Sequence, residues 1–597
     1  MRGRGYSSSL AAALAGSAGL AAMALTLPAQ AQTAPPIPTR EEIQQPSLPP
    51  AQPPGERIVA ADDGIERSPC PLANPEFASV RFTLRGVQFS SVEGIDPAML
   101  APSWAGRVGQ ELPVAAICDI RDAAATMLRR QGYLAAVRVP PQRIEDGVVR
   151  LDILAARMTR IEVRGDAGAN EGLLQRYLSR LDDQPLFNVR TAERYLLLAR
   201  DIPGMDARLT LRPGGVPGEV VGEVLVTRVP VTFDINVQNF GTRDVGRWSG
   251  AARARFAGLT GMGDLTTLSL YATPDLDEQK VVQVAHELRV GREGLRLGGS
   301  YTYAWTRPDL AGLPIQSDTQ VISLFAAYPV TLTQAHRFTV AGGLDIIDQD
   351  IALGAAPLNR DRLRVVNLRA EASWIDPASV AGRAGYSPAE PRWALGAALE
   401  ARQGLRFLGA SGDCGPGGAA CFLPGAVPLT RVEGRPDAFV LRAQAQAEWR
   451  PHRSVTLSAA PRAQWASDPL LAYEEFSGGN FTVGRGFDPG TVIGDSGAAV
   501  ALEARYGSFI PADVRSFAVQ PFAFFDAAWV WNKDSAFAGL DPQKLYSAGG
   551  GLRAAFGGTA RLDVTLAVPL NRAGFLPQRP DPRLLVSLTT QFGVKPR

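Results

Sequence analysis

From about Pro230 to the C-terminus, apolar and polar residues alternate one for one over runs longer than ordinary strands, and this period constrains the fold more than any other feature. In "VNLRAEASW" the residues Val366, Leu368, Ala370, Ala372 and Trp374 share one face, and Asn367, Arg369, Glu371 and Ser373 share the other. "FVLRAQAQAEW" divides the same way, with Leu441, Ala443, Ala445, Ala447 and Trp449 opposing Arg442, Gln444, Gln446 and Glu448. Successive side chains of a strand point to opposite faces, so one face suits lipid and the other water. Soluble sandwiches also alternate, but their strands average about five or six residues. These runs are about nine to eleven, the length that crosses a bilayer when tilted. Aromatics such as Tyr301, Tyr303, Trp305, Trp374 and Trp449 collect near the run ends, where interfacial girdles sit. Residues 230–597 are therefore expected to form a transmembrane antiparallel β-barrel. Roughly 368 residues at some 23 per strand with its connection give about 16 strands, an even number as in bacterial barrels. The last run, "RLLVSLTTQFG", puts Leu584, Val586, Leu588, Thr590 and Phe592 on the lipid face.

Whole-chain averages conceal such a barrel. The hydrophobic fraction is 46%, and 61 basic against 59 acidic residues leave a net charge of +2, which gives no nucleic-acid signature. Arg2 and Arg4 precede an apolar run ending in "PAQAQ", so residues 1–31 read as a secretory signal peptide cut after Ala31. No other run of about 18 apolar residues follows, so no helical span is expected in the mature protein. Residues 32–78 are rich in proline and polar residues and read as an extended periplasmic linker in which only "REEIQQ" could form a helical turn.

Two small α/β units come next. The first, 79–156, reads as the strand "SVRFTLRGVQF", the helix "VAAICDIRDAAATMLRRQG" and the strands "YLAAVRVPPQRI" and "VVRLDILAA", joined through Asp146-Gly147. The second, 157–229, repeats the pattern: "MTRIEVRGD", a helix opening on Asn188 and stopping at Pro203-Gly204, then "DARLTLRPG" and "GEVVGEVLVTRV". A tandem repeat of this size presents similar surfaces in series.

The four cysteines form two local pairs, Cys70 with Cys118 and Cys414 with Cys421, as suits an oxidising compartment. No C-x-x-C is present and His286, His336 and His452 are scattered, so neither a metal site nor a cofactor is expected. There is no G-x-x-x-x-G-K-[ST] for a nucleotide and no G-x-S-x-G for a nucleophile, so no catalytic residue is expected.

A barrel of this width with a polar interior conducts unless something occupies it, and a long folded loop is a common device. "FSGGNFTVGRGFDPG", within an inward-folded loop at about 476–495, has the glycine density for close approach to a wall and a single cation, Arg485. An arginine in a lumen needs a carboxylate. Asp526, in "FAFFDAAWV", is the first choice and Glu503, in "VALEARYGS", the second.

"GGNFTVGRGF", "IGDSGAAVALEAR", "FAFFDAAWV" and "LYSAGGGLR" together resemble the C-terminal barrel of the two-partner secretion transporters, the haemolysin-activator and haemagglutinin-transporter family, within the superfamily of outer-membrane assembly and export barrels. The resemblance covers nearly the whole mature chain and implies a proline-rich lead-in, two polypeptide-transport-associated (POTRA) domains in the periplasm and a 16-stranded barrel. It also implies a latch at Arg485, Gly486 and Phe487, with the arginine held by an acid on an interior strand, Asp526. Two departures stand out. Most members read V-R-G-F/Y where Gly484 here separates Val483 from Arg485, and the proline-rich lead-in leaves room for only a short pore-plugging helix. The implied partners are a large secreted exoprotein with an N-terminal export domain and outer-membrane lipid, and the barrel is expected to be monomeric. The periplasmic units present strand edges to which an unfolded client can add a strand. The alternative is an assembly insertase of the same superfamily, which usually carries more POTRA copies; a passive porin would leave both the repeats and the glycine loop unexplained.

Overall fold

Each repeat buries apolar helical stripes against a three-stranded sheet, and their spacing decides where the elements begin and end. The structure is a computed structural model that describes residues 39–43, 70–144, 146–216, 218–310, 312–513, 515–535 and 539–594. The signal peptide expected over 1–31 and most of the proline-rich stretch lie outside the described residues. The first described element is a four-residue helix, α1 (Arg40–Ile43).

In the first unit, β1 (Arg81–Thr83) pairs with β3 (Glu111–Pro113), while β2 (Gly86–Phe89) runs parallel to β5 (Val148–Ala155), whose other side pairs antiparallel with β4 (Ala135–Arg138). The run expected as one strand over "SVRFTLRGVQF" is thus two strands serving different partners, broken at Leu84, whose side chain is fully buried. Helix α2 (Ala116–Arg130) lays Ile117, Ile120, Ala124 and Leu128 on the sheet, and Gly132, at φ 92°, stops it. Cys70 is bonded to Cys118 on this helix, 48 residues away.

The second unit has the same topology: β6 (Arg157–Gly165) parallel to β8 (Glu219–Arg228), and β8 antiparallel to β7 (Met205–Pro213). It carries two helices where the sequence reading placed one. Helix α3 (Glu171–Asp182) buries Leu173, Leu174, Tyr177, Leu178 and Leu181, and α4 (Val189–Arg200) opens with the Asn188 side chain accepting from the Arg190 N–H at 3.0 Å. In the first unit the place of α3 is taken by a 3-10 run, Pro97–Ser103, where Pro102 has no N–H to continue an α-helix.

The two units touch directly. The Val189 N–H donates to Gly132 O at 2.8 Å, and Leu186 packs into the first unit's core. The second unit also contacts the barrel: Tyr195 Oη donates to Glu293 at 2.8 Å, Arg337 pairs with Asp201 at 2.8 Å, and Leu332 belongs to the second unit's core.

From Val231 onward sixteen antiparallel strands close into a barrel. The first half runs β9 (Val231–Gln238), β10 (Ser249–Ala257), β11 (Leu265–Ala272), β12 (Gln279–Val290), β13 (Leu295–Thr306), β14 (Ile315–Leu332), β15 (His336–Leu353) and β16 (Ala356–Ile375). There follow β17 (Trp393–Gly404), β18 (Phe439–His452) and β19 (Val455–Ala466). A luminal hairpin, β20 (Phe476–Gly478) with β21 (Val492–Gly494), interrupts the wall, which resumes as β22 (Ser496–Tyr506), β23 (Phe517–Trp531), β24 (Gln543–Phe556), β25 (Ala560–Pro569) and β26 (Arg583–Val594). Strand β26 pairs with β9 over Ser587↔Gln238 to Val594↔Val231 and leaves no open edge. The strands are longer than the expected nine to eleven where β14, β15 and β16 reach 18 to 20 residues. Burial is inverted relative to a soluble protein: Phe233, Ile235 and Val237 are 41–48% exposed, whereas Asp234, Asn236 and Gln238 are at most 7% exposed. Lipid, not a packed core, covers the apolar face.

Candidate functional site: the inward loop and its ion pairs

Between β19 and β22 the chain turns into the lumen. The β20–β21 hairpin carries the tip, and two tight turns shape it: Thr482 N–H donates to Gly479 O at 3.0 Å and Phe487 N–H to Gly484 O at 2.9 Å. Phe476, Val483, Phe487 and Val492 are buried against Ala499, Ala528, Val530 and Leu545 of the wall. The loop therefore has an apolar core of its own on a polar surface. Its glycines are needed where the backbone touches that wall. Gly484 sits at φ 126°, and a Cβ there would lie 2.6 Å from Leu545 Cδ1. At Gly486 a Cβ would lie 2.9 Å from both Pro569 N and Ser547 Cβ. The extra Gly484 is thus the residue that lets Arg485 descend onto β23 and β24.

Arg485 meets both carboxylates weighed from the sequence. Its Nη2 is 2.8 Å from Asp526 Oδ1 and its Nε 3.1 Å from Oδ2, a two-point contact, while its own backbone N–H donates to Oδ2 at 2.9 Å. Nη1 reaches Glu503 Oε2 at 2.9 Å. The guanidinium lies 3.6 Å from the centre of the Phe524 ring, a cation–π contact. Asp526 is fully buried, and Ser547 Oγ adds a longer bond at 3.3 Å.

Two further arginines, through four contacts, extend this pair into a belt. Glu503 also accepts from Arg553 at 2.6 and 2.9 Å and from Arg505; Arg505 reaches Glu448 at 2.8 Å, and Arg553 reaches Asp563 at 3.1 Å. The sequence reading missed Arg505, Arg553, Glu448 and Phe524. Parity could have found Arg505, which is two residues from Glu503 in "ALEARY" and so shares its face. Arg553 and Glu448 come from strands whose neighbours are known only once the barrel register is known.

Other anchors hold the loop elsewhere. Arg431 bridges Glu475 at 2.6 Å and Asp534 at 2.7 Å and also binds Asp495. Arg402 gathers Glu474 and Glu400 at 2.8 Å and Asp345 at 2.9 Å. Asp488 pairs with Arg583 at 2.8 Å.

The lead-in contributes as well. Expected only as a possible turn within a tether, "REEI" is a helix seated in the lumen. Thr39 and Glu42 cap each other across its first turn, with Thr39 N–H donating to Glu42 Oε2 at 2.8 Å. Glu41 accepts from Arg462 and from Ser477 of the loop hairpin, each at 2.9 Å, and Ile43 is buried beside Tyr271, Val281 and Tyr473. Helix and loop thus occupy the lumen together. Cys414 and Cys421 are bonded within the connection between β17 and β18.

Comparison with known proteins places this geometry. Residues 223–554 match the family described as haemolysin secretion/activation protein ShlB/FhaC/HecB, and residues 82–155 match the POTRA domain, ShlB-type. The heme/hemopexin transporter protein HuxB of Haemophilus influenzae is 25% identical over 169 residues, 28% of this chain and 30% of its own length. Among solved structures, CdiB from Escherichia coli superposes with a TM-score of 0.70 at 17% identity, covering 93% of this chain and 95% of that one. CdiB from Acinetobacter baumannii gives 0.63, also at 17% identity, over 91% and 94% of the two chains. These last two are likenesses of fold.

Proposed function

We propose, from the premise that the chain belongs to the ShlB/FhaC/HecB family of haemolysin secretion/activation proteins, that it binds an unfolded exoprotein in the periplasm through its POTRA domains and exports it through the barrel. The protein lies in the outer membrane with its POTRA domains in the periplasm. The observation that carries the reading is two POTRA-type units in series before a closed 16-stranded barrel whose lumen holds a folded loop and a short helix rather than wall side chains alone. Among the described residues each POTRA sheet ends in strands with one unpaired edge: β2 and β4 in the first, β6 and β7 in the second. An extended client can add a strand at such an edge, with main-chain hydrogen bonds supplying affinity. The client is a large secreted exoprotein with an N-terminal export domain.

In this reading Arg485, Gly486 and Phe487 form the latch, with Asp526 as its main partner and Glu503 as its second. For a chain to pass, the loop tip has to leave the β23–β24 wall and α1 has to leave the lumen. Arg485→Ala then lowers secretion while the barrel keeps its stability; a merely structural pair would lose both together.

Deleting the gene and comparing the secretome with outer-membrane protein levels tests the function. Loss of one exoprotein is the expected result, and a general fall in barrel proteins would instead assign an insertase role.

A further inference from the structure

The outer wall is not evenly covered. Across β17, β18, β19, β22 and β23 the register sets Trp449 opposite Leu457, Leu457 opposite Ala504 and Ala504 opposite Ala523, with Ala447 opposite Ala459 and Leu502 opposite Phe525 in the next row. Ala447, Ala459, Ala504 and Ala523 form a sunken floor. Trp393, Trp449, Leu457, Leu502 and Phe525 stand around it, each 39–52% exposed. The hollow measures about 810 Å³, lies broadly open to the bilayer, and has an almost wholly apolar lining.

Its position in the membrane follows from the topology. The second POTRA unit leads directly into β9, so even-numbered wall strands up to β18 descend to the periplasm, and Trp449 near the end of β18 lies at that side. One step nearer the water a β-bulge between Trp449 and His452 shifts the register, so that His452 pairs with the outward Val455, and Val455 with Tyr506, which is 63% exposed. Trp393, Trp449 and Tyr506 make an interfacial girdle at the mouth. His452 Nδ1 accepts from the Ser454 N–H at 3.3 Å, which leaves Nε2 as the imidazole's donor, and indole and phenol are donors by their chemistry. The nearby carboxylates, Glu448 and Glu503, face the lumen and are taken by Arg505, Arg553 and Arg485.

The geometry points to a phospholipid-binding groove on the outer wall, taking one acyl chain of a periplasmic-leaflet glycerophospholipid on the alanine floor and its phosphate–glycerol region at His452 and Tyr506. The occupant follows from continuity with the bilayer that covers this face, from the depth at the periplasmic leaflet, and from a lining whose two carboxylates, Glu448 and Glu503, are both paired with arginines. The groove also backs the latch. Glu448, Ser458, Glu503 and Phe524 alternate along the same strands with the groove residues, so the bound chain and the Arg485 belt lie on opposite faces of one sheet.

The test uses the full chain in detergent. After delipidation by washing, the protein is incubated with a phosphatidylethanolamine bearing a diazirine in one acyl chain, irradiated and digested. Adducts are expected to concentrate on peptides spanning 447–459 and 502–525; an even distribution around the barrel overturns the proposal. Native mass spectrometry of gently extracted protein should show about one retained phospholipid per chain. Retention should fall at least fivefold in Ala459→Phe with Ala504→Phe, and stay unchanged in Leu268→Phe on the far wall. Equal retention in the filled and unfilled proteins also overturns it. Heat-modifiable mobility on gels confirms that each variant is folded, and the cross-linking arm needs no substitution.

Discussion

Removing Arg485 should free the loop tip far more than removing the charge of Glu503, and the ion-pair belt says by how much. Among the described residues Arg485 is the one cation paired with the fully buried Asp526, by a two-point contact at 2.8 and 3.1 Å. Breaking a buried pair from one side costs about 3–5 kcal/mol. The Arg485 side chain keeps 20% of its exposure, so the low end, about 3 kcal/mol, applies. Glu503 is different: if it is neutralised, Arg485 retains Asp526, Arg505 retains Glu448 and Arg553 retains Asp563. Glu503→Gln should cost about 1 kcal/mol or less. All four cysteines are disulfide-bonded, so a cysteine placed at Val483, which is buried in the loop core, is the single free thiol. Its maleimide labelling rate follows the opening equilibrium when closing is fast. At about 1.4 kcal/mol per tenfold, Arg485→Ala and Asp526→Asn should each speed labelling about a hundredfold, and Glu503→Gln about fivefold at most. Labelling within threefold of the parent in Arg485→Ala, or faster in Glu503→Gln than in Asp526→Asn, would refute the reasoning.

Gly484→Ala should loosen the same tip by about 1–3 kcal/mol, because it combines an unfavourable φ with a Cβ pressed against Leu545; the same thiol reports it. Cys70→Ser with Cys118→Ser removes a cross-link closing 48 residues, which the chain-entropy relation values at about 4 kcal/mol; protease cleavage within 79–156 of the full chain should accelerate while the barrel stays resistant. In the turn between β10 and β11, Asp264 is buried, which opposes its ionisation. Bonds from Thr260 and Leu259 outweigh that burial and hold its carboxyl below the usual range. A lowered folded value stabilises above the unfolded value near 3.9 and is lost as pH falls through the folded one. The melting advantage of the parent over Asp264→Asn should be full at pH 6 and vanish towards pH 2.

How much of this was legible in the sequence depends on the distance over which each signal is set. Alternation is a property of neighbours, so the barrel, its lipid face and the parity that opposes Asp526 to Phe525 were readable from "FAFFDAAWV" alone. Helix α3 was readable too: Leu173, Leu174, Tyr177, Leu178 and Leu181 have helical spacing, but the first unit, whose Pro102 forbids the equivalent helix, set the wrong template for the repeat. What could not be read is whatever the barrel register creates. Arg553 meets Glu503 from 50 residues away, and Glu41 meets Arg462 from 421; no local pattern encodes either distance. Gly484 belongs to the same class. On paper it breaks a motif, and only beside Leu545 does it become the residue that lets Arg485 reach Asp526. Substitutions that remove only a local signal, such as one outward leucine, should therefore change little. Those that strike a register-made contact should act on the loop, the luminal helix and the wall together, since Ser477 of the loop binds Glu41 of the helix while Glu503 of the wall binds Arg485 of the loop.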